Sequence, residues 1–316
     1  SGLGVTCADF NGDHLTDIYV ANDGNPNQLW INQGGGRFQD MALASGAALN
    51  ADGRAEAGMG VTAADFDQDG DQDLFLTHLA RETNTLYLND GLGRFEDATN
   101  RYGLAMPSFP FTGFGTAWFD YDRDGFLDLF IANGGVTMIE SQRGSAYPFR
   151  QANQLFRGKA GRRFRDVSSD AGDAFAQLEV SRGAAFGDVD NDGDVDIVVG
   201  NNNGPARLLL NETPNENSWL QLRLQSDGRH REAIGAEVQV IRPGEPALIR
   251  IVRRDGSYLS ASDAQLHIGL GASAASQVVV RWPSGEEETF PVENRRSTTL
   301  HQGQGSPANR ELFPNK

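Results

Sequence analysis

Aspartate recurs at fixed spacing in four windows of nine residues, which we number loops one to four: residues 9–17, 65–73, 120–128 and 188–196. Each window follows the pattern Asp-x-Asp/Asn-x-Asp-x-x-x-Asp, which places side-chain oxygens at positions 1, 3, 5 and 9. Hard cations such as Ca²⁺ take about six to eight oxygen ligands, and a tight loop brings alternate side chains to one centre. The spacing therefore predicts a divalent-cation site in each loop.

The predicted ligands are the side chains at positions 1, 3, 5 and 9 and the main-chain carbonyl at position 7. Glycine at position 6 permits the turn in loops two to four, but loop one has His14 there, so we expect loop one to be strained and to bind most weakly. The complete set is Asp9, Asn11, Asp13, Leu15 and Asp17; Asp65, Asp67, Asp69, Asp71 and Asp73; Asp120, Asp122, Asp124, Phe126 and Asp128; and Asp188, Asp190, Asp192, Asp194 and Asp196.

A solvated acidic turn is the simpler interpretation of any single window. Four carboxylates about 4 Å apart, however, repel by roughly 1 kcal/mol per pair in water and about 4 kcal/mol at an effective dielectric of 20. A marginally stable fold that repeats such a loop needs a cation or an open loop. An EF-hand is rejected because strand-like runs flank each loop and position 12 is apolar rather than glutamate. Mg²⁺ is the alternative ion, but it retains its waters, so we expect about four Ca²⁺ sites.

The loops also account for the net charge of the chain. The 316 residues include 27 Lys and Arg and 43 Asp and Glu, a formal charge of −16. The loops hold 17 of the acids and one base, Arg123, so the remaining sequence is neutral. This balance argues against a nucleic-acid partner, which requires a basic face. No apolar run is long enough to predict a membrane-spanning segment.

The elements that must position the loops repeat with them. Each loop follows a small glycine-containing apolar stretch and precedes two short apolar runs, and the loops begin 56, 55 and 68 residues apart. Short runs bounded by Gly, Asn and Asp predict strands. Repetition of such a four-stranded antiparallel module predicts an all-β chain with β-propeller blades, the alternatives being a solenoid or a sandwich array.

Composition divides the chain into three parts. We assign residues 1–212 to the repeats, 213–302 to a small β-sandwich-like domain with alternating apolar residues, and 303–316 to a flexible tail. The fourth unit lacks an outer strand, and the chain begins at the first strand of a unit. We therefore expect the four units to be part of a larger propeller, in a fragment whose signal peptide is out of view.

The repeat resembles the FG-GAP or VCBS-type repeat of integrin-α-like propellers. The C-terminal part resembles the ASPIC/UnbV domain through Ala233-Ile234-Gly235-Ala236, Gly256-Ser257-Tyr258-Leu259-Ser260, His267-Ile268-Gly269-Leu270-Gly271 and Arg281-Trp282-Pro283-Ser284-Gly285. Together they look like the cartilage acidic protein family and its bacterial relatives. The resemblance implies a secreted, periplasmic or cell-surface protein with a propeller of about seven blades. It also implies a function in interaction or adhesion, with calcium stabilising the fold.

The predicted function is a calcium-binding module that meets a protein or glycan partner outside the cell. A carbohydrate-binding or carbohydrate-active propeller is the alternative. No H-E-x-x-H or G-x-S-x-G motif supports an enzyme, and His267, in an alternating strand, is interpreted as structural. Residues 107–114 and 134–152 interrupt the repeat and are candidates for recognition or for packing between blades.

Overall fold

The computed structural model describes residues 1–159, 162–226 and 232–308. Four antiparallel sheets follow one another along the chain, and within each sheet the strands pair in sequence order. The first three sheets have four strands and the fourth has three, as the sequence predicted. The strands are β1 (Gly2–Ala8), β2 (Asp17–Asn22), β3 (Gln28–Asn32) and β4 (Phe38–Asp40); β5 (Val61–Ala64), β6 (Asp73–Leu76), β7 (Thr85–Asn89) and β8 (Phe95–Asp97); β9 (Gly113–Phe119), β10 (Asp128–Asn133), β11 (Gln154–Arg157) and β12 (Arg165–Asp166); β13 (Ser181–Gly187), β14 (Asp196–Asn201) and β15 (Arg207–Leu209).

The first strands of consecutive sheets lie side by side, so the four sheets pack face to face in a propeller-like array. Glycine permits this close approach. A Cβ added to Gly60 would lie 2.1 Å from the carbonyl oxygen of Phe114 on the next first strand. A Cβ on Gly115 would lie 2.5 Å from the main-chain nitrogen of Ala184. Larger residues would push the sheets apart, which explains the small glycine-containing stretch before each loop.

The C-terminal strands form two sheets with one apolar core between them. One sheet has the order β19-β16-β22 and the other β18-β17-β20-β21-β23, and buried residues such as Leu222, Val238, Val280 and Trp282 fill the space between. This confirms a small all-β domain built like a sandwich. The strands are β16 (Ser218–Gln225), β17 (Glu237–Ile241), β18 (Leu248–Ile251), β19 (Leu266–Gly271), β20 (Gln277–Arg281), β21 (Glu287–Pro291), β22 (Arg296–His301) and β23 (Ser306–Pro307).

A segment of the C-terminal domain reaches the centre of the four first strands. Ser257 exchanges main-chain hydrogen bonds of 2.7 and 3.3 Å with Val61 on β5. The Ser257 hydroxyl accepts the N–H of Thr116 and donates to the carbonyl of Ala184 at 2.8 Å. Asp255 extends the contact to β1. One short segment thus bonds to the first strand of every unit.

Among the described residues, helical structure is limited to short turns outside the sheets. The described helices are α1 (Ala42–Ser45), α2 (Thr99–Tyr102) and α3 (Ala105–Ser108), with 3₁₀ turns at Glu140–Gln142, Ser168–Asp170 and Asp173–Ala176. None of the helices in the described ranges has the length and apolar character needed to cross a membrane. The flexible tail was predicted to begin at residue 303, but Ser306 and Pro307 pair with β21, so the prediction was wrong for these two residues. Residues 309–316 of the predicted tail lie outside the described residues.

Candidate metal centre

All four acidic loops connect the first and second strands of their units, so they lie at the same end of the sheets. The position 1 carboxylate closes the turn in loops one, three and four. Asp120 accepts the N–H groups of Asp124 and Gly125 at 3.0 and 2.8 Å. Asp188 accepts the equivalent groups in loop four at 3.2 and 3.0 Å. The turn is therefore held by its own first residue, as in an Asx turn.

The position 5 carboxylate holds the predicted main-chain ligand. In each loop its Oδ1 accepts the N–H of the position 7 residue, at 2.8–3.2 Å. This bond fixes the peptide whose carbonyl was predicted to ligate. The four position 7 residues are Leu15, Asp71, Phe126 and Asp194.

Two positions of each loop adopt the left-handed conformation, not one. Position 6 does so as predicted, and His14 has a φ of 65° there. Position 4 does so as well, in Gly12, Gln68, Arg123 and Asn191, with φ between 54° and 76°. The left-handed conformation at position 4 was not predicted. Its only signal was Gly12 and Asn191, two residue types that tolerate this region.

Three loops each bring together three of the four aspartates predicted at positions 1, 3, 5 and 9. In each, one oxygen from each of three aspartates lies within 4.8 Å of the others. Such a cluster can share a single cation. The three groups are Asp65, Asp67 and Asp69; Asp120, Asp122 and Asp128; and Asp188, Asp190 and Asp196.

Buried oxygens without partners test whether the donor set fits a cation. Both carboxylate oxygens of Asp65 are buried and lack a hydrogen-bond partner. The same is true of one oxygen each of Asp67, Asp73 and Asp122. A buried polar atom without a partner costs free energy, and a buried charge costs more. A hard divalent cation would satisfy these oxygens, so the residues fit the predicted ion.

The position 9 aspartates are buried because they also join strands. Each is at most 2% exposed, and its Oδ1 accepts an N–H from the residue at or just beyond the end of the third strand, at 2.8–3.0 Å. A carboxylate oxygen has a second lone pair, so position 9 can hold strands and ligate. These residues are Asp17, Asp73, Asp128 and Asp196.

The electrostatics of the loops disfavour ionised carboxylates without a counter-ion. Burial raises the pKa of Asp73 to about 9, against the hydrogen bond from Asn89, which lowers it. Burial and then the neighbouring Asp124 raise the pKa of Asp120 to about 8. Burial raises the pKa of Asp65 to about 6. Near neutral pH, a bound proton or a bound cation would therefore stabilise these carboxyl groups in the folded protein.

Loop one differs from the other three. None of the three close aspartate groups found among the described residues comes from loop one. The central residues of loop one are exposed to solvent. Asn11 donates its amide N–H to Asp13 at 3.0 Å. The His14 ring lies 3.6 Å from Asp9 and contacts Arg281 of the C-terminal domain. That loop one binds most weakly stays a prediction.

Arginines form ion pairs with aspartates of loops three and four, and these pairs were not predicted from the sequence. Arg157 lies 2.5 Å from an oxygen of Asp122 and 3.1 Å from Asp124. Arg123, at position 4 of loop three, lies 3.0 Å from Asp194 of loop four. Arg157 comes from β11, far along the chain from the loop, where no spacing rule applies. These guanidinium groups neutralise part of the charge that a metal would meet.

Models of two protein families match the chain. FG-GAP-like repeats match residues 9–76 and 65–131, and the family described as ASPIC and UnbV matches residues 226–307. The two FG-GAP-like ranges together contain loops one to three. The ASPIC and UnbV range contains the segment that reaches the centre of the first strands.

Curated relatives include cartilage acidic protein 1 of Homo sapiens and of Mus musculus. Each is 30% identical to this chain over 90% of its length. The chain spans only 41% and 42% of these two relatives.

Solved structures give more distant likenesses. An exotype rhamnogalacturonan lyase is 12% identical with a TM-score of 0.35, over 94% of this chain and 57% of the lyase. An Agrocybe aegerita lectin specific for non-reducing terminal N-acetylglucosamine is 18% identical with a TM-score of 0.33, over 65% of this chain and 51% of the lectin.

Proposed function

We propose that this chain, an FG-GAP-repeat protein with an ASPIC and UnbV domain and a homologue of cartilage acidic protein 1, is an extracellular calcium-binding interaction module. Its calcium is mainly structural. The observation that carries the proposal is the set of buried, unpartnered carboxylate oxygens in loops that gather three aspartates within 4.8 Å. Oxygen-only donor sets of this kind select Ca²⁺ over softer metals.

The ligands would come from every position predicted above, with the position 1, 3, 5 and 9 side chains and the position 7 carbonyl around each ion. Bound calcium would neutralise the loop and tie the first strand of a unit to its second. Calcium sites of extracellular modules work at about 10⁻⁴–10⁻³ M. Because loops such as residues 188–196 are partly exposed, we expect the sites of this chain to work in the same range.

Calorimetric titration of chelator-stripped protein with CaCl₂ tests the proposal. We expect several sites, with loops two, three and four filling before loop one. Magnesium is the matched competitor, and it should bind more weakly because it gives up its waters reluctantly. Absence of any heat at millimolar Ca²⁺, with native circular dichroism retained, would refute calcium binding.

A groove beside unit four favours a second candidate function, the recognition of a glycan. A cavity of about 420 Å³ lies between the inserted residues 134–152 and the loop that follows β14. It combines the half-exposed ring of Tyr147 with polar groups of Arg150, Glu179 and Asn202. An apolar ring face beside fixed hydrogen-bonding groups suits a sugar, whose surface is likewise part apolar and part polar.

A glycan array with wild type, Tyr147→Ala and Tyr147→Phe tests this second function. Binding that Phe retains and Ala loses would support a stacked sugar. New reducing or unsaturated ends after incubation with polysaccharides would indicate an enzyme instead. If the wild-type protein binds a protein partner but no glycan on the array, glycan recognition by the groove is refuted.

A further inference from the structure

The C-terminal domain partly covers all four acidic loops. Its strands β16 and β19 lie over loops three and four, and the residues around β18 lie beside loop two. Loop one is contacted from β20 through Arg281 and His14. Metal sites that stabilise single blades would not need such a cover, so the contacts call for an explanation of their own.

Loop three meets the main chain of β19. A Cβ added to Gly269 would lie 2.0 Å from Oδ2 of Asp120 and 2.6 Å from the Cα of Arg123. Gly271 donates its N–H to the carbonyl of Arg123 at 2.9 Å. Only a strand without side chains at these points can lie against the loop. The glycines of the sequence His267-Ile268-Gly269-Leu270-Gly271 therefore shape the domain to the metal loop.

Loop four meets side chains of β16. Gln221 donates its amide N–H to Oδ2 of Asp188 at 2.8 Å. The ring of Trp219 covers Gly193, and a Cβ on this glycine would lie 2.5 Å from the ring. Asp188 thus has its carboxylate oriented from two sides, by the main chain of its own turn and by an amide from the other domain.

Loop two meets positive charge from the C-terminal domain. Arg253 donates to the side chain of Gln72, within the loop, at 3.1 Å. Burial lowers the pKa of Arg250, and the nearby carboxylates of Asp65 and Asp120 oppose that effect. Arg253 also donates to the main-chain carbonyl of Ala63, just before the loop. The interface is acidic on the side of the repeats and partly basic on the side of the C-terminal domain.

We propose that metal binding by loops two to four and docking of the C-terminal domain are thermodynamically linked, with Gly269 and Gln221 as positioning residues that hold Asp120 and Asp188 for the ion. The proposal rests on the calcium function proposed above. Charges excluded from water interact more strongly than charges in water, so the docked domain strengthens both the repulsion in a metal-free loop and the attraction in a loaded one. Linkage is reciprocal, so calcium must tighten docking by the factor by which docking tightens calcium.

Hydrogen exchange measured by mass spectrometry on the whole chain, with chelator and with CaCl₂, tests the linkage. We expect calcium to protect the loops and also residues 266–271 and 218–225, by at least tenfold in exchange rate. Residues 287–291, on the other sheet, serve as the internal control and should change little. Protection confined to the loops would overturn the linkage while leaving calcium binding intact. No binding at all would instead refute the proposed function.

Variants at the two positioning residues make the test independent of exchange data. Gln221→Leu should weaken one calcium site about tenfold in calorimetry, because it removes the bond to Asp188 without changing a ligand. Arg223→Leu, exposed on the same strand, is the matched control. Gly269→Ala should weaken another site at least as much, against Gly200→Ala, where the added Cβ meets nothing closer than 3.8 Å. If Gly269→Ala does not fold, Gln221→Leu decides alone: unchanged affinity at every site would overturn the role of the domain.

Discussion

Replacing Asp73 with asparagine should stabilise the protein without calcium, and calcium should cancel or reverse that gain. Asp73 is 1% exposed, and one of its oxygens is buried without a partner. Burial raises its pKa from 3.8 to about 9. Because the folded pKa lies above the unfolded pKa, the contribution of Asp73 to the stability of the metal-free fold is greatest at low pH and falls as the pH rises from 3.8 to about 9.

The magnitude follows from the pKa difference at the working pH. One pH unit corresponds to about 1.4 kcal/mol, so at pH 7 the aspartate costs the metal-free fold roughly 4 kcal/mol. Asparagine removes this cost and can still accept the N–H of Asn89, but its amide N–H₂ is buried at a cost of about 1–3 kcal/mol. We therefore expect Asp73→Asn to raise the free energy of unfolding by about 1–3 kcal/mol in chelator.

Calcium should cancel or reverse this gain. A ligand present at 100 times its dissociation constant stabilises the folded state by about 2.7 kcal/mol. The variant loses a charged ligand and most of that stabilisation. Urea unfolding in chelator and in CaCl₂ measures both values, with Asp90→Asn as the control, an exposed turn-capping aspartate of the same unit. A variant that is destabilised equally in both solutions would refute the argument that burial of Asp73 costs free energy until a cation binds.

Three further predictions concern pH and single loops. In chelator, the melting temperature should fall between pH 5.5 and 8.5, since Asp120 and Asp73 have pKa values raised to about 8 and about 9; saturating calcium should remove or reverse this slope, because the ion displaces protons. His14→Gly should tighten the loop one site in calorimetry by relieving the φ of 65°, and an unchanged affinity would count against strain as the cause. Arg157→Gln should raise calcium affinity at loop three several-fold, because its guanidinium lies 2.5 Å from Asp122, and it should destabilise the protein in chelator; a weaker site would show that Arg157 supports the ion instead of competing with it.

The sequence predicted the features that local spacing determines. Strand positions followed from short apolar runs bounded by Gly, Asn and Asp, and the loops followed from the recurrence of aspartate. The hydrogen bond from the position 7 N–H to the position 5 carboxylate is likewise a local effect, since the two residues lie two positions apart in the sequence. Position 4 was missed because Gln68 and Arg123 adopt a left-handed conformation that their residue types do not favour.

Contacts between distant parts of the chain could not be predicted. Ser257 pairs with Val61, and Arg157 meets loop three from a different strand. Neither contact leaves a periodic pattern, because each depends on how whole sheets are placed. The strand pairing of Ser306 was missed for a related reason, since a polar tail gives no sign that an edge strand is available to it.

The acidic loops and the glycine-rich sequences of the C-terminal domain are two sides of one interface. The −16 charge belongs to the loops, and the loops lie where the other domain must approach. An acidic surface can be approached at close range by main chain, by amide groups or by arginine, and Gly269, Gln221 and Arg253 supply one of each. Since each side is shaped by the other, substitutions at Asp120 and Gly269 should be non-additive in a double-mutant cycle, as expected for residues in contact. Additive effects would mean that the loop and the domain are stabilised separately.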